Sequence, residues 1–216
     1  MLDLETVDTD GAIRETQDEA LTRSSAMKQA AIFGGGLFGG ATLLSLLSPK
    51  AFAQGGGLSK GDLAILNYAL TLEYLEAEFY TLAEKDAGLR GELLTFAQVV
   101  GLHERSHVKA LKGVLGRNAV RKPKFDFRGT TDDATKFAAT AELLEDTGVA
   151  AYKGQAAAIR STAVLNAALA IHAVEARHAA WIRDINGNPP APAAFDKALT
   201  MKQVLSAVAK TKFIVA

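Results

Sequence analysis

From residue 59 onward, apolar side chains recur at offsets of three, four and seven, and capping or breaking residues divide the pattern into helical segments. Ser59 and Asp62 form a capping-box-like start to a helix predicted to reach Lys85, with Leu66, Ala69, Leu70, Ala77 and Tyr80 along one stripe. Gly88 breaks it, and a second helix is predicted from Arg90 to Leu115, stopped by Gly116, with Ala97, Val100, Val108 and Leu111 in register. Residues 117–130, containing Pro123 and Gly129, make a connection longer than adjacent helices need. Its basic stretch from Arg117 to Arg128 reads as a solvated loop. Thr131 is the predicted cap of a third helical region that continues, with a break near Ala138, to Ile159. Ser161 starts a fourth, which ends near Ile185 where Asn186, Gly187, Asn188, Pro189 and Pro190 supply a C-cap and a stop. A last short helix, Met201 to Ala209, carries its own capping box in Thr200 and Gln203 and is expected to cover one end. The pattern predicts an all-α four-helix bundle over residues 59–216, with one long crossover and a short C-terminal helix.

Polar residues interrupt these apolar stripes at regular places. Three residues along a helix turn a side chain by about 300° and lift it by about 4.5 Å, so Glu175 and His178 project as neighbours from one face. Ala168, Ile171, Ala179 and Ile182 share that face, and a carboxylate among them is costly unless its charge is compensated. Glu104 and His107 repeat the pattern. Glu73 is followed seven residues later by Tyr80, and Glu145 seven residues later by Tyr152. The first Glu lies 31 residues before Glu104 and the second 30 residues before Glu175. The bundle therefore reads as two helix pairs related by a pseudo-twofold, each supplying Glu and then Glu-x-x-His. Glu76 and Glu142 are rival carboxylates one turn away; the matched spacing favours Glu73 and Glu145. Four carboxylates and two imidazoles suit two divalent ions, whose four positive charges offset four negative ones in a dry core. Oxygen-rich ligands with imidazole nitrogen favour iron or manganese. Tyr80 and Tyr152 on the inward stripes read first as packed side chains, with hydrogen bonds to the ligand carboxylates or passage of an electron as the alternatives.

Composition narrows the picture. The 216 residues contain no cysteine, which excludes disulfides and thiolate metal sites, and a formal net charge of zero argues against nucleic acid as a partner. Residues 1–20 carry seven acidic side chains and one basic one, Arg14, with no apolar face, and disorder is expected there. Arg23 and Lys28 then precede an uncharged stretch from Gln29 to Pro49 and the small-x-small triplet Ala51-Phe52-Ala53, a pattern suited to an export signal cut before Gln54. Thr22 to Lys28 resembles a twin-arginine signal in which Ser24 stands where the second arginine belongs. Export to a periplasm or cell envelope is the expectation, with membrane contact only through this segment if it stays uncleaved. Residues 54–58 form a glycine-rich linker.

Leu66-Asn67-Tyr68-Ala69-Leu70-Thr71-Leu72-Glu73-Tyr74-Leu75-Glu76, the paired ExxH motifs and Ala173 to His178 resemble the ferritin-like superfamily over about residues 60–210, most closely its secreted, desiccation-related branch. That resemblance implies a ferritin-like four-helix bundle in which Glu104 and Glu175 bridge two iron or manganese ions and Glu73, His107, Glu145 and His178 are terminal ligands. It implies oxidase, ferroxidase or peroxide-removing chemistry, with oxygen or peroxide as small-molecule partners, and leaves the substrate open. Association into a homo-oligomer is compatible with a bundle but is not written in any particular residue.

Other readings compete. A helical envelope protein made under stress, with little or no metal, would need its inward carboxylates protonated or hydrogen-bonded. His103-Glu104-Arg105-Ser106-His107 also spells the zinc-protease motif HExxH, although Arg105 sits poorly in such a motif and no sheet is predicted beside it. His103 reads as a surface or packed histidine. His172 reads in the same way, with support of the ligands from behind, one turn before Glu175, as the alternative.

Overall fold

A computed structural model of the chain describes residues 58–215. The expected acidic segment, export signal and membrane-anchor alternative fall on residues 1–53, outside the described residues, as do residues 54–57 of the linker. Among the described residues there are five α-helices: α1 (Lys60–Asp86), α2 (Gly91–Leu115), α3 (Ala134–Ala156), α4 (Thr162–Ile185) and α5 (Met201–Thr211). A 3-10 turn, Gly116–Asn118, and two-residue strands β1 (Lys124–Phe125) and β2 (Ile214–Val215) complete them. None of the described helices is long and apolar enough to cross a membrane.

Local chemistry accounts for the helix boundaries. Ser59 caps α1 by accepting a hydrogen bond from the Asp62 amide, Ser161 caps α4 through the Val164 amide, and Thr200 and Gln203 form a reciprocal capping box on α5. Asn186 closes α4, as its place before Gly187 predicts. The third helix departs from expectation. Asp133, not Thr131, is its cap, because an aspartate oxygen reaches the Lys136 amide; the helix runs through Ala138 without a break and stops at Ala156.

Packing contacts fix the direction of each helix. At one end of the bundle the Arg160 amide, just before α4, donates to Asp62 near the start of α1 at 2.8 Å. Asn67 holds the chain just beyond α2 through the Asn118 carbonyl (3.0 Å) and the Val120 amide (2.8 Å). At the other end Phe137 of α3 stacks on Phe79 of α1, and Trp181 of α4 bonds Glu92 at the start of α2. Helices α1 and α4 therefore run one way, α2 and α3 the other. Because α2 and α3 are parallel, their connection must traverse the length of the bundle, which is why it is long. It lies along α1, with Lys122 paired to Glu78 and Phe127 packed on Phe79. The basic side chains of residues 117–128 are exposed, as a solvated loop predicts, but Phe127 is buried in the core, and β1 pairs antiparallel with β2, tying the crossover to the chain's last described residues.

Helix α5 does not cover an end either. Val204 and Val208 pack into the same apolar cluster as Leu72, Leu75 and Leu144, which lays α5 over the seam between α1 and α3. Two large apolar clusters, and a small third of Ala110 and Ala167, fill the interior among the described residues. One, towards the start of α1, contains Leu66, Leu70, Leu111, Val164 and Ile171; the other, towards its end, contains Phe79, Phe96, Phe137 and Ile182. Between them, at the middle of all four bundle helices, the stripes turn polar.

Candidate metal centre

Each bundle helix delivers its charged groups to this middle layer by the periodicity that makes its apolar face. Glu73 lies between Leu70 and Phe79 on α1, Glu104 and His107 between Val100 and Leu111 on α2, Glu145 between Ala141 and Tyr152 on α3, and Glu175 and His178 between Ile171 and Ile182 on α4. The four glutamates are 0 % exposed, a placement that hydration would forbid to uncompensated charges.

The six groups form two overlapping sets. One donor atom from each of Glu73, Glu104, His107 and Glu175 lies within 4.8 Å of the other three, and the same holds for Glu104, Glu145, Glu175 and His178. Glu104 and Glu175 belong to both. Donor-to-ion distances of about 2.0–2.2 Å put opposite donors of one ion roughly 4.4 Å apart, so each set closes around an ion with a small inward shift. Both imidazoles present Nδ1 to the carboxylates. His107 Nδ1 is 3.2 Å from Glu73, 3.1 Å from Glu104 and 3.3 Å from Glu175; His178 Nδ1 is 3.2 Å from both Glu104 and Glu145. The outer carboxylate oxygens are held crosswise between the pairs: Tyr80 of α1 donates to Glu145 of α3, and Tyr152 of α3 donates to Glu73 of α1.

Several inner atoms are left without a hydrogen bond although fully buried: Glu104 Oε1, Glu145 Oε2, both Glu175 oxygens and His178 Nδ1. Buried polar atoms are almost always paired, and these all converge on one point. A pair of divalent cations fits the donor set. In their absence protons must do the balancing. Burial drives Glu73 up to about 8, with His107 pulling it down and Glu104 pushing it up. Burial and the Glu104 charge raise Glu175 well above the usual carboxylate range. Burial would also raise Glu104, but the charge of His107 and its hydrogen bond hold it well below that range. Burial opposes charging of His178, yet Glu145 and Glu104 lift it to about 11, and Glu73 and Glu104 lift His107 in the same way.

The rival carboxylates separate in a manner the spacing could not reveal. Glu142 lies outside the layer, accepting hydrogen bonds from Asn186 and Asn188 at the end of α4 and facing Arg183. Glu76 lies inside it: 4 % exposed, and raised well above the usual range by burial and then by Glu175, Glu145, Glu104 and Glu73. Gly148 makes room for this. A Cβ there would stand 2.9 Å from Glu175 Oε2 and 3.6 Å from Glu76 Oε1.

His172 is not gathered with the others. Half-buried, with Asp196 and Lys153 as the charges that act on it, it fits the surface or packed reading and not the supporting one. His103 is. Its Nδ1 is 2.8 Å from His178 Nε2, with the two rings inclined by 17°. The zinc-protease arrangement needs the imidazoles of residues 103 and 107 on one ion, whereas here Nδ1 of His107 turns to the carboxylates and His103 turns to α4.

Compared with known proteins, the chain matches a family model described as a ferritin-like domain over residues 61–188. A search of curated proteins finds no match.

Proposed function

Because this chain belongs to the ferritin-like domain family, we propose that its mid-bundle layer holds a dinuclear iron or manganese centre, with Glu104 and Glu175 shared and Glu73, His107, Glu145 and His178 as the outer ligands. The observation that carries this is the set of buried, unpartnered donor atoms at the convergence of four helices. Ions held there supply redox chemistry towards oxygen or peroxide. The chain's own part is to fix the donors, exclude water with the two flanking apolar clusters, and hold Glu73 and Glu145 in place through the hydroxyls of Tyr152 and Tyr80. We read the setting as outside the cytoplasm, from the signal-like pattern of residues 23–53, and the role as stress protection, from the resemblance to the desiccation-related branch. Elemental analysis of the purified chain, with and without loading by ferrous or manganous ion, tests the centre. About two ions per chain are expected, falling to trace levels in Glu104→Ala and Glu175→Ala. Full occupancy in both variants would refute the assignment.

A second reading, a metal-poor structural bundle, is favoured by one observation: raised Glu73 and Glu175 beside raised His107 and His178 can neutralise the layer with protons alone. Unchanged thermal stability on adding either ion, together with trace metal content, would select it.

A further inference from the structure

His103 is the one histidine at the layer that the six-ligand reading leaves without a task, and its position breaks the internal symmetry. Glu104 and Glu175 are 71 residues apart, as are His107 and His178, so the residue equivalent to His103 is Val174. A valine cannot hydrogen-bond an imidazole. The two halves therefore offer the cations different surroundings, although their ligand sets are of the same composition. We propose that His103 is a positioning residue for His178, and that it makes the cation position formed with Glu145 and His178 tighter than the one formed with Glu73 and His107.

The reasoning rests on the binding reading above and on geometry. His178 can bind a cation through Nδ1 only if that nitrogen carries a lone pair, which puts its ring proton on Nε2. Nε2 then donates to His103 Nδ1 at 2.8 Å, and His103 in turn carries its own proton on Nε2. This bond fixes the ring rotation, so that Nδ1 faces Glu104 and Glu145 at 3.2 Å before any ion arrives, and it keeps the proton on Nε2 when a cation takes the place of the one on Nδ1. His103 is itself only partly buried, so its side chain can be removed without opening the core.

The experiment is a calorimetric titration of the metal-free full chain with manganous ion, comparing wild type, His103→Ala and His103→Gln. Wild type is expected to bind two ions with resolved affinities. In His103→Ala one of them weakens by about 10- to 100-fold while the other stays within threefold. His103→Gln, whose side-chain oxygen can accept the same bond, restores most of the loss, which a purely structural role would not produce. Thermal melting of the metal-free variants separates misfolding from lost positioning: an unchanged midpoint with weakened binding supports the proposal. If wild type binds two ions and both stay equally tight without the imidazole, the proposal alone is overturned. If wild type binds none, the dinuclear reading falls and this inference falls with it.

Discussion

Gly148→Ala separates the fold's interest from the site's. Position 148 lies in the interior of α3, where replacing glycine with alanine favours the helix by about 1 kcal/mol. The added methyl would stand 2.9 Å from Glu175 Oε2, about 0.5 Å closer than the 3.4 Å lower edge of ordinary contact. In the metal-free protein that oxygen has no hydrogen-bond partner and sits at the end of a flexible side chain, so it yields at little cost. The helix gain then shows as a midpoint higher by about 2–4 °C for a domain of this size. With cations bound, the Glu175 carboxylate would help to hold them, and this oxygen could then not move without lengthening a coordination bond.

A displacement of that size is at the limit of what a ligand constellation tolerates, and an affinity loss of about tenfold, or 1.4 kcal/mol, is expected. Manganous ion at a hundred times the wild-type Kd stabilises wild type by about 2.7 kcal/mol per site. At the same concentration the variant gains only about 1.4. Thermal melts with and without the ion therefore cross: the variant is the more stable chain without metal, and its metal-induced increment is roughly half that of wild type. An undiminished increment would show that Glu175 Oε2 is not constrained by an ion, and would refute the reasoning.

Tyr152→Phe leaves the outer oxygen of Glu73 buried without a donor, and Tyr80→Phe does the same to Glu145. Each is expected to cost about 1–3 kcal/mol in urea unfolding of the metal-free chain, and a cost below about 0.5 would contradict the crosswise bonds. With Glu73 raised to about 8, the folded metal-free chain keeps a proton that the unfolded chain has released, so a penalty grows as pH rises from the ordinary carboxylate value towards 8. The stability gained from protonated His178, whose folded value is about 11, is complete below the ordinary histidine value and is lost as pH rises through about 11. Metal-free midpoints should thus fall between about pH 6 and 9, while the increment from added manganous ion grows, since cations displace those protons; melts across that range that show no such divergence would count against it. Gly154→Ala would place a methyl 1.8 Å from the Leu199 carbonyl, pushing the segment before α5 off α3 and breaking the bond from the Leu199 amide to Ala150. A midpoint lower by several degrees and faster proteolysis of residues 187–200 are expected, against a rise if only helix propensity mattered.

The bundle was legible because helical periodicity and caps are local: Ser59, Ser161, Thr200 and Asn186 act within a turn of themselves. That the six candidate residues face inward was legible because a carboxylate on an apolar stripe is conspicuous wherever it occurs. What failed needed partners distant in sequence. Glu76 and Glu142 each lie three residues from a preferred glutamate, yet only the packing of α1 against α3 turns the first inward, and only the end of α4 engages the second. Phe127 reads as part of a basic loop until the crossover is laid against Phe79. His103 is one residue from Glu104, about 100° round the helix, and it meets His178 because α4 runs antiparallel beside α2.

The departures from the repeat have a common physical sense. The offset of 72 residues that carries Glu73 to Glu145 and Tyr80 to Tyr152 carries Glu76 to Gly148. One half thus adds a buried carboxylate where the other removes a side chain, and the vacated volume is the one that Glu76 and Glu175 reach into. A glutamate at both positions would crowd a layer that already holds four others; a glycine at both would leave a void beside Glu175 that apolar neighbours cannot fill with hydrogen bonds. The fifth carboxylate and the His103 contact both belong to the first helix pair while acting on groups of the second. Two candidate ligand sets of equal composition therefore sit in unequal surroundings, a difference that arises from the packing of one pair on the other and from no change among the six candidate residues themselves.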